Sequence, residues 1–419
     1  MPVLERSFFE ALDRADPLGG FRARFDLPGD RVFLNGNSLG APPASTLERL
    51  RTVVGRNWRD DMNSAWWKHG WLDLPRTVGD RVGGLVGAAP GQVVVGESTS
   101  VNLFKLLCGA LGGGTRRTVL TDSGNFPSDL YVADGVVSHV RPDARIRRVG
   151  ASEILDALDD DVAVVMLSHV DYRTAEILPM QEINERAHAA GALTLWDLSH
   201  SAGVVPLALD ADGTDLAVGC GYKYLNGGPG APGYMYVAAR LLPGFRQPIT
   251  GWLGHADPFA FEPEYRPAPD VTRLTTGCPP LLSLVALDEG VALTAEADPR
   301  LVREKSSALT GRLVELAAER LARFSVEVLS PVEPDRRGGH VALRHPEAER
   351  LTRDLAADGF AAEFRSPELI RMGLSPLFNR YVDVWDTVTA LERLLGAGPR
   401  VPAREGATGE PARGGGGRR

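Results

Sequence analysis

Lys223 follows directly on an apolar, strand-like run, TDLAVGC (214–220), within the stretch GYKYLNGGPGAPG (221–233). A lysine at a strand end is ordinarily a solvated charge. Here the chain leaves regular structure at once, in a loop too rich in glycine and proline to be simple surface padding. To act as a nucleophile a lysine must shed its proton, against an unperturbed pKa of about 10.4. Burial beside a cationic group favours the neutral form, and the glycines let backbone approach a bound group without a Cβ clash. Asp197, 26 residues upstream, ends another hydrophobic run in WDLSHSAG (196–203), and His200 lies three positions further on. A buried carboxylate there needs a cationic partner; read alone, the pair is equally a capping Asp and a structural His. Taken together, an acid able to keep a pyridine nitrogen protonated and a lysine able to form an imine are the arrangement expected around pyridoxal 5′-phosphate (PLP).

These residues need elements to position them. TVLTD (118–122), DVAVVMLSHV (161–170), ALTLWDL (192–198) and TDLAVGC read as strands. Between them SDLYVADGVVSHV and QEINERAHAAG read as helices, the second ending at Gly191. Apolar runs alternating with helices predict a doubly wound, mostly parallel α/β sheet, whose ligands sit at the carboxyl ends of the strands. TDSGNFPSD, SHVDYRT, DLSHSAG and GYKYLNGG all fall there. In STSVNLFKLLCGAL (98–111), Ser98, Thr99 and Ser100 precede a helical pattern, suited to ordinary capping and equally to holding a phosphate. From about residue 281 two long helices and then short strands alternating with helices predict a smaller α+β domain. The expected divisions are an N-terminal segment (1–60) that joins the small domain and the active-site entrance, a large domain (61–296), a small domain (297–397) and a disordered tail (398–419).

A net charge of -8 gives no basic footprint for nucleic acid. No apolar run approaches the roughly 20 residues that span a bilayer, and the start MPVLERSFFEALDRADPLGG is unlike a secretory signal. Cys108, Cys220 and Cys278 lack metal-like spacing, and no HExxH pattern occurs. The expectation is a soluble cytoplasmic protein without a metal. His139, His169, His188, His340 and His345 read as structural or solvated, His169 being a candidate pocket neighbour.

FLNGNSLG (33–40), STSVNLF, NFPSD (125–129), WDLSHSAG, VGCGYKYLNGGPGAPG (218–233), QPITGWLGH (247–255) and IRMGLSPLFNRYVDVW (370–385) occur in order. Together they closely resemble the kynureninase family, PLP enzymes of fold type I. The resemblance covers about residues 30 to 396. It implies hydrolysis of L-kynurenine, or 3-hydroxy-L-kynurenine, to anthranilate or 3-hydroxyanthranilate and L-alanine in tryptophan catabolism. It also implies that Lys223 joins the cofactor aldehyde covalently and acts as acid and base with help from Tyr222, while Asp197 holds the pyridine nitrogen. His200 and Phe126 would flank the ring, with Pro127, Ser128, Asp129 and Ser168 on the cofactor side. Thr99, Ser100, Tyr222 and Trp252 would hold the phosphate. Arg371 would grip the substrate carboxylate through a bidentate pair, with Asn37, Trp71 and Gly277 near the substrate and Cys278 near cofactor and substrate. The region of Cys278 reaches in from a neighbouring subunit in this fold type, so a homodimer is implied. NSAWWKHGWLDLP (63–75) departs from the family pattern; Trp66, Trp67, His69 and Trp71 there suit an aryl pocket or a packed core equally.

Two rivals remain at this level. A cysteine desulfurase or related class V enzyme needs a mobile cysteine, whereas Cys108 lies in a helical run, Cys220 in a strand and Cys278 before two prolines. A catalytically silent relative would have lost at least one of Lys223, Asp197, Phe126 and Arg371.

Overall fold

The structure, a computed structural model, describes residues 5–29, 31–112 and 114–397. The tail 398–419 lies outside the described residues. The larger sheet is built from β1 (Val93–Val95), β2 (Thr118–Asp122), β3 (Arg145–Val149), β4 (Val162–Ser168), β5 (Leu193–Asp197), β6 (Leu216–Cys220) and β7 (Gly233–Val237). Their order across the sheet is β1-β7-β6-β5-β4-β2-β3. The strands from β2 to β6 pair in parallel, and β7 and β1 complete the sheet antiparallel. Alternation within β4 explains why the strand is apolar throughout. Val165 and Leu167 join the core on one face, whereas Val164 and Met166 join the core on the other. Helices α1 (Leu74–Val86) and α4 (Met180–Ala189) cover the first face, and α2 (Thr99–Leu111) and α3 (Pro127–His139) cover the second.

The four strands read from the sequence are present, within two residues at each end. Three others escaped that reading for separate reasons. RIRRV of β3 is an edge strand with exposed or half-exposed arginines, and VVV of β1 is only three residues long. GYMYV of β7 emerges straight from the glycine-rich loop. That loop is the turn between antiparallel neighbours, since Cys220 pairs with Gly233. Asn226, Gly228 and Gly230 adopt positive φ within it. The loop is thus both a reversal of the chain and the mount of Lys223.

A smaller antiparallel sheet follows: β8 (Glu327–Val328), β9 (His340–Arg344), β10 (Glu363–Arg365) and β11 (Leu369–Gly373), ordered β10-β11-β9-β8. Its core collects Leu309, Leu313, Leu351 and Leu391 from three helices, with Phe9 and Leu34 from the N-terminal segment. Val32–Phe33 also pairs in parallel with Phe360–Ala361. The chain start is therefore stitched to the C-terminal layer, which brings residues 35–40 to the junction with the larger sheet. Among the described residues, no helix is long and apolar enough to cross a membrane.

Packing of α1 on β1 is close enough to require glycine. A Cβ on Gly79 would collide with the Val93 carbonyl. Gly79→Ala is expected to destabilise the fold by about 2 kcal/mol in urea unfolding, although alanine favours a free helix by about 1 kcal/mol. A stabilised variant would contradict this packing.

Candidate active site

The parallel strands end along one edge, and the polar residues gather there. β5 ends in Asp197, whose Oδ1 accepts from the Ser199 backbone N–H at 2.8 Å and so turns the chain to present His200. β6 leads into Tyr222 and Lys223, and Lys223 Nζ lies 3.0 Å from His200 Nε2. The N-terminal segment fixes this loop from behind. Gly40 N–H donates to the Tyr222 carbonyl at 2.7 Å, and a Cβ on Gly40 would collide with the Lys223 carbonyl.

A cavity of about 170 Å³ opens before Lys223. Asp197, His200, Tyr222 and Lys223 line one side. Phe126, Ser128, Asp129 and Ser168 line another, with Pro127 setting the first turn of α3 between them. Ser98, Thr99 and Ser100 close it with the N-terminus of α2, where free N–H groups and the helix dipole favour an anion. The Ser98 hydroxyl also caps that helix by accepting from Val101 N–H at 3.4 Å, so capping and a ligand site coexist there. Gly233 completes the cradle: a Cβ there would stand 3.1 Å from the Thr99 nitrogen. Asn125 was not singled out from the sequence. Its Oδ1 accepts from Ser168 Oγ at 2.7 Å and from Phe126 N–H at 2.8 Å, which orients both walls.

The electrostatics of the cavity ask for a cation. Asp129 is 3% exposed and its Oδ2 has no partner among the described residues. Burial, then the charge of Asp197, pushes its carboxyl well above the usual range, and Lys223 opposes the rise. Burial, followed by the charge of Lys223, keeps His200 neutral, so its Nε2 lone pair can face the lysine. Burial also raises the Tyr222 phenol.

Arg371 reaches this region from β11. It is 1% exposed; its Nη1 donates to the Tyr172 carbonyl at 2.5 Å, and Tyr172 lines the same cavity. The expected bidentate face is not free, however. Nη2 donates to Ser38 Oγ at 2.8 Å and to Glu363 Oε2 at 2.5 Å, which leaves Nε unpartnered. Glu363 was missed because only the pairing of β10 with β11, Glu363 opposite Arg371, makes it a neighbour. Asn37, fully buried with both amide atoms unpartnered, packs against Gly373 at the end of the same strand.

Four expected residues stand apart. Gly277 and Cys278 line a larger cavity of about 930 Å³ that shares Tyr222 and Ser98 with the first. Lys105, buried in α2, ties this segment down by donating to the Leu274 carbonyl at 2.9 Å and to Thr276 Oγ1 at 2.7 Å. Trp252 is 36% exposed, with its ring 5.7 Å from that of Phe259, away from the Lys223 cavity of its own chain. Trp71 corrects the expectation of a substrate contact: it is core, packed with Val53, Ala65 and Val285 and edge-on to Trp66. Its neighbour Trp67 lines the larger cavity instead. The thiols stay clear of Lys223's cavity. Cys108 is buried in α2 and pushed up to about 11, Cys220 is buried in β6, and Cys278 is exposed.

Comparison with known proteins bears on this arrangement. Residues 302–391 match the family model described as kynureninase C-terminal domain. The kynureninase of Burkholderia pseudomallei (strain 1106a) is 40% identical over 92% of this chain and 94% of its own length. That of Deinococcus radiodurans is 41% identical over 94% and 97%. The chain belongs to the kynureninase family. Outside the family, a cystine C-S lyase, C-DES, superposes with a TM-score of 0.76 over 87% of this chain and 98% of its own, at 16% identity. A cysteine desulfurase from Thermococcus onnurineus NA1 does so with 0.76 over 90% and 98%, also at 16%. These likenesses establish the α/β fold of the PLP-dependent fold type I enzymes, as the resemblance implied.

Because burial holds Asp129 above its ordinary 3.8, the stability it contributes is full below that pH and is lost as pH rises through the folded-state value. Asp129→Asn is therefore expected to raise the melting temperature of the cofactor-free protein at neutral pH. The gain should vanish as pH falls toward 3.8. A gain independent of pH, measured by scanning calorimetry across that range, would contradict an Asp129 carboxyl held above its ordinary range by burial.

Proposed function

We propose that this chain is a PLP-dependent hydrolase converting L-kynurenine to anthranilate and L-alanine, with 3-hydroxy-L-kynurenine as an alternative substrate. The observation that carries the reading is the cavity where Lys223, neutral His200 and two buried carboxylates meet a helix N-terminus. The residues present fit PLP. Asp197, assisted by Asp129, would pair with a protonated pyridine nitrogen, and the orphaned Asp129 Oδ2 marks a cationic demand. The N–H groups at Thr99 and Ser100 would take the phosphate, and the flat face of Phe126 the ring. A structure of similar fold supports the fit: a lysine-to-alanine mutant of C-DES, 16% identical to this chain, has glycine covalently linked to its PLP cofactor.

When bound, PLP supplies the electron sink that makes the substrate α-proton labile and weakens the neighbouring carbon–carbon bond. The chain supplies the rest. Lys223 Nζ carries the proton to and from the α-carbon, with His200 Nε2 able to take up its hydrogen bond. The Tyr222 phenol, kept protonated by burial, would assist by donating at the carbonyl that water attacks. Arg371 holds the substrate carboxylate, and sharing Nη2 with Glu363 and Ser38 fixes the guanidinium plane before substrate arrives.

The reading divides the chain into 1–60, 61–296 and 297–397, and it includes a cytoplasmic homodimer without nucleic-acid partners. In such a dimer Trp252, Gly277 and Cys278, which do not line their own chain's Lys223 cavity, are available to the partner's. A desulfurase, the activity named for one structural neighbour, is disfavoured because that neighbour is only 16% identical, against 40% for a kynureninase over 92% of this chain.

Lys223→Ala is expected to abolish anthranilate fluorescence on addition of kynurenine, a loss of at least about 10³-fold in kcat for a group serving as covalent anchor and proton carrier. The visible absorbance of bound cofactor should shift as well. Turnover within tenfold of wild type would overturn the assignment.

A further inference from the structure

His340 has no role in the reaction as proposed, and the sequence reading placed it among structural or solvated histidines. The structure places it elsewhere. His340 is fully buried, and neither ring nitrogen has a hydrogen-bond partner among the described residues. Its ring centroid lies 5.4 Å from that of His200, which touches Lys223. Buried polar groups left unpaired are rare and call for a ligand, water or function to explain them.

Strand pairing shows what His340 faces. In the β9–β11 ladder His340 stands opposite Gly373 and Ala342 opposite Arg371. Residues two apart share a face, so the His340 and Arg371 side chains project from the same side of the small sheet as diagonal neighbours. Gly373 has no side chain, and the Asn37 amide occupies the place its Cβ would take. Three fully buried residues on one face thus hold unspent polar atoms: the His340 ring, the Asn37 amide and Arg371 Nε. With Arg371 and Lys223 both acting on it, and burial first, His340 is neutral and keeps one N–H donor. The Tyr172 carbonyl, which accepts from Arg371 Nη1 and keeps a second lone pair, also favours a proton on this ring, but it lies outside ordinary hydrogen-bond geometry for either ring nitrogen. Donors from Arg371, Asn37 and His340 flanked by two cations suit an anion rich in acceptors.

We propose that His340 is a further substrate-binding residue, donating its imidazole N–H to the α-carboxylate of an amino acid substrate beside Arg371 and Asn37. The proposal rests on the PLP-enzyme reading above and deepens its carboxylate site. It predicts that His340 discriminates ligands with an α-carboxylate from the same ligands without one.

The test uses the holoenzyme and two variants, His340→Phe, which keeps a ring without a donor, and His340→Gln, which keeps a donor. Dissociation constants for L-alanine and for kynuramine, the amine of kynurenine without its carboxylate, are read from the cofactor absorbance. His340→Phe is expected to weaken L-alanine about tenfold, the worth of one charge-assisted hydrogen bond, and to leave kynuramine unchanged. His340→Gln should stay within about threefold of wild type for both ligands, which is well under the loss of such a bond. Equal weakening of both ligands, or of neither, by His340→Phe overturns the proposal. Should that variant not fold, His340→Leu, which also removes the donor, takes its place: selective weakening of L-alanine supports the proposal, and equal weakening of both ligands, or of neither, overturns it. Wild-type protein that binds L-alanine yet makes no anthranilate defeats the hydrolase reading alone.

Discussion

Two carboxylates, Asp129 and Asp197, lie buried within range of each other's charge at the carboxyl edge of a parallel sheet. Keeping both there is costly unless a cation sits between or beside them. Lys223 answers part of that demand, but its Nζ is turned to His200, and Asp129 Oδ2 remains without a partner. A protonated pyridine ring, in the proposed reading, would answer the remainder. Much else in the larger domain can be understood as the means of holding this arrangement in place. Parallel strands deliver the acids to one edge, and the reversal into β7 mounts the lysine. The N-terminus of α2 offers positive potential at the opposite end of the cavity.

The smaller domain adds Arg371, the group proposed to read the substrate. Arg371 is buried almost completely and anchored by a backbone carbonyl of the larger domain, by Ser38 from the N-terminal segment and by Glu363 from its own sheet. Each anchor comes from a different part of the chain, so the position of the guanidinium reports the assembly of all three. Pairing of Val32–Phe33 with Phe360–Ala361 serves the same end, since it carries Asn37, Ser38 and Gly40 to the junction.

Much of this was legible in the sequence. Apolar runs buried on both faces identified the parallel strands, and the polar residues at their ends identified the edge that binds. Lys223, Asp197, Phe126, Asp129 and the Ser98–Ser100 turn, each picked out from its motif, line one cavity. Residues that depend on strand pairing were not legible. Glu363 and His340 become neighbours of the site only through the register of an antiparallel sheet, which leaves no periodic mark in the sequence. The place of Trp71 was not legible for a related reason: the pattern of aromatics in AWWKHGW is the same whether a ring meets substrate or core. Only packing against Val53 and Val285 separates the two. The strands at 93–95, 145–149 and 233–237 were lost to short length, edge polarity and an abrupt start within a loop.

The central claim is that the acid pair holds a protonated heterocycle. Nitrogen-15 NMR of the protein reconstituted with ring-labelled pyridoxal phosphate tests it most directly. A pyridinium shift that persists into alkaline solution, and that is lost in Asp197→Asn, is the predicted result. A neutral-pyridine shift in the wild-type protein at neutral pH would contradict the account.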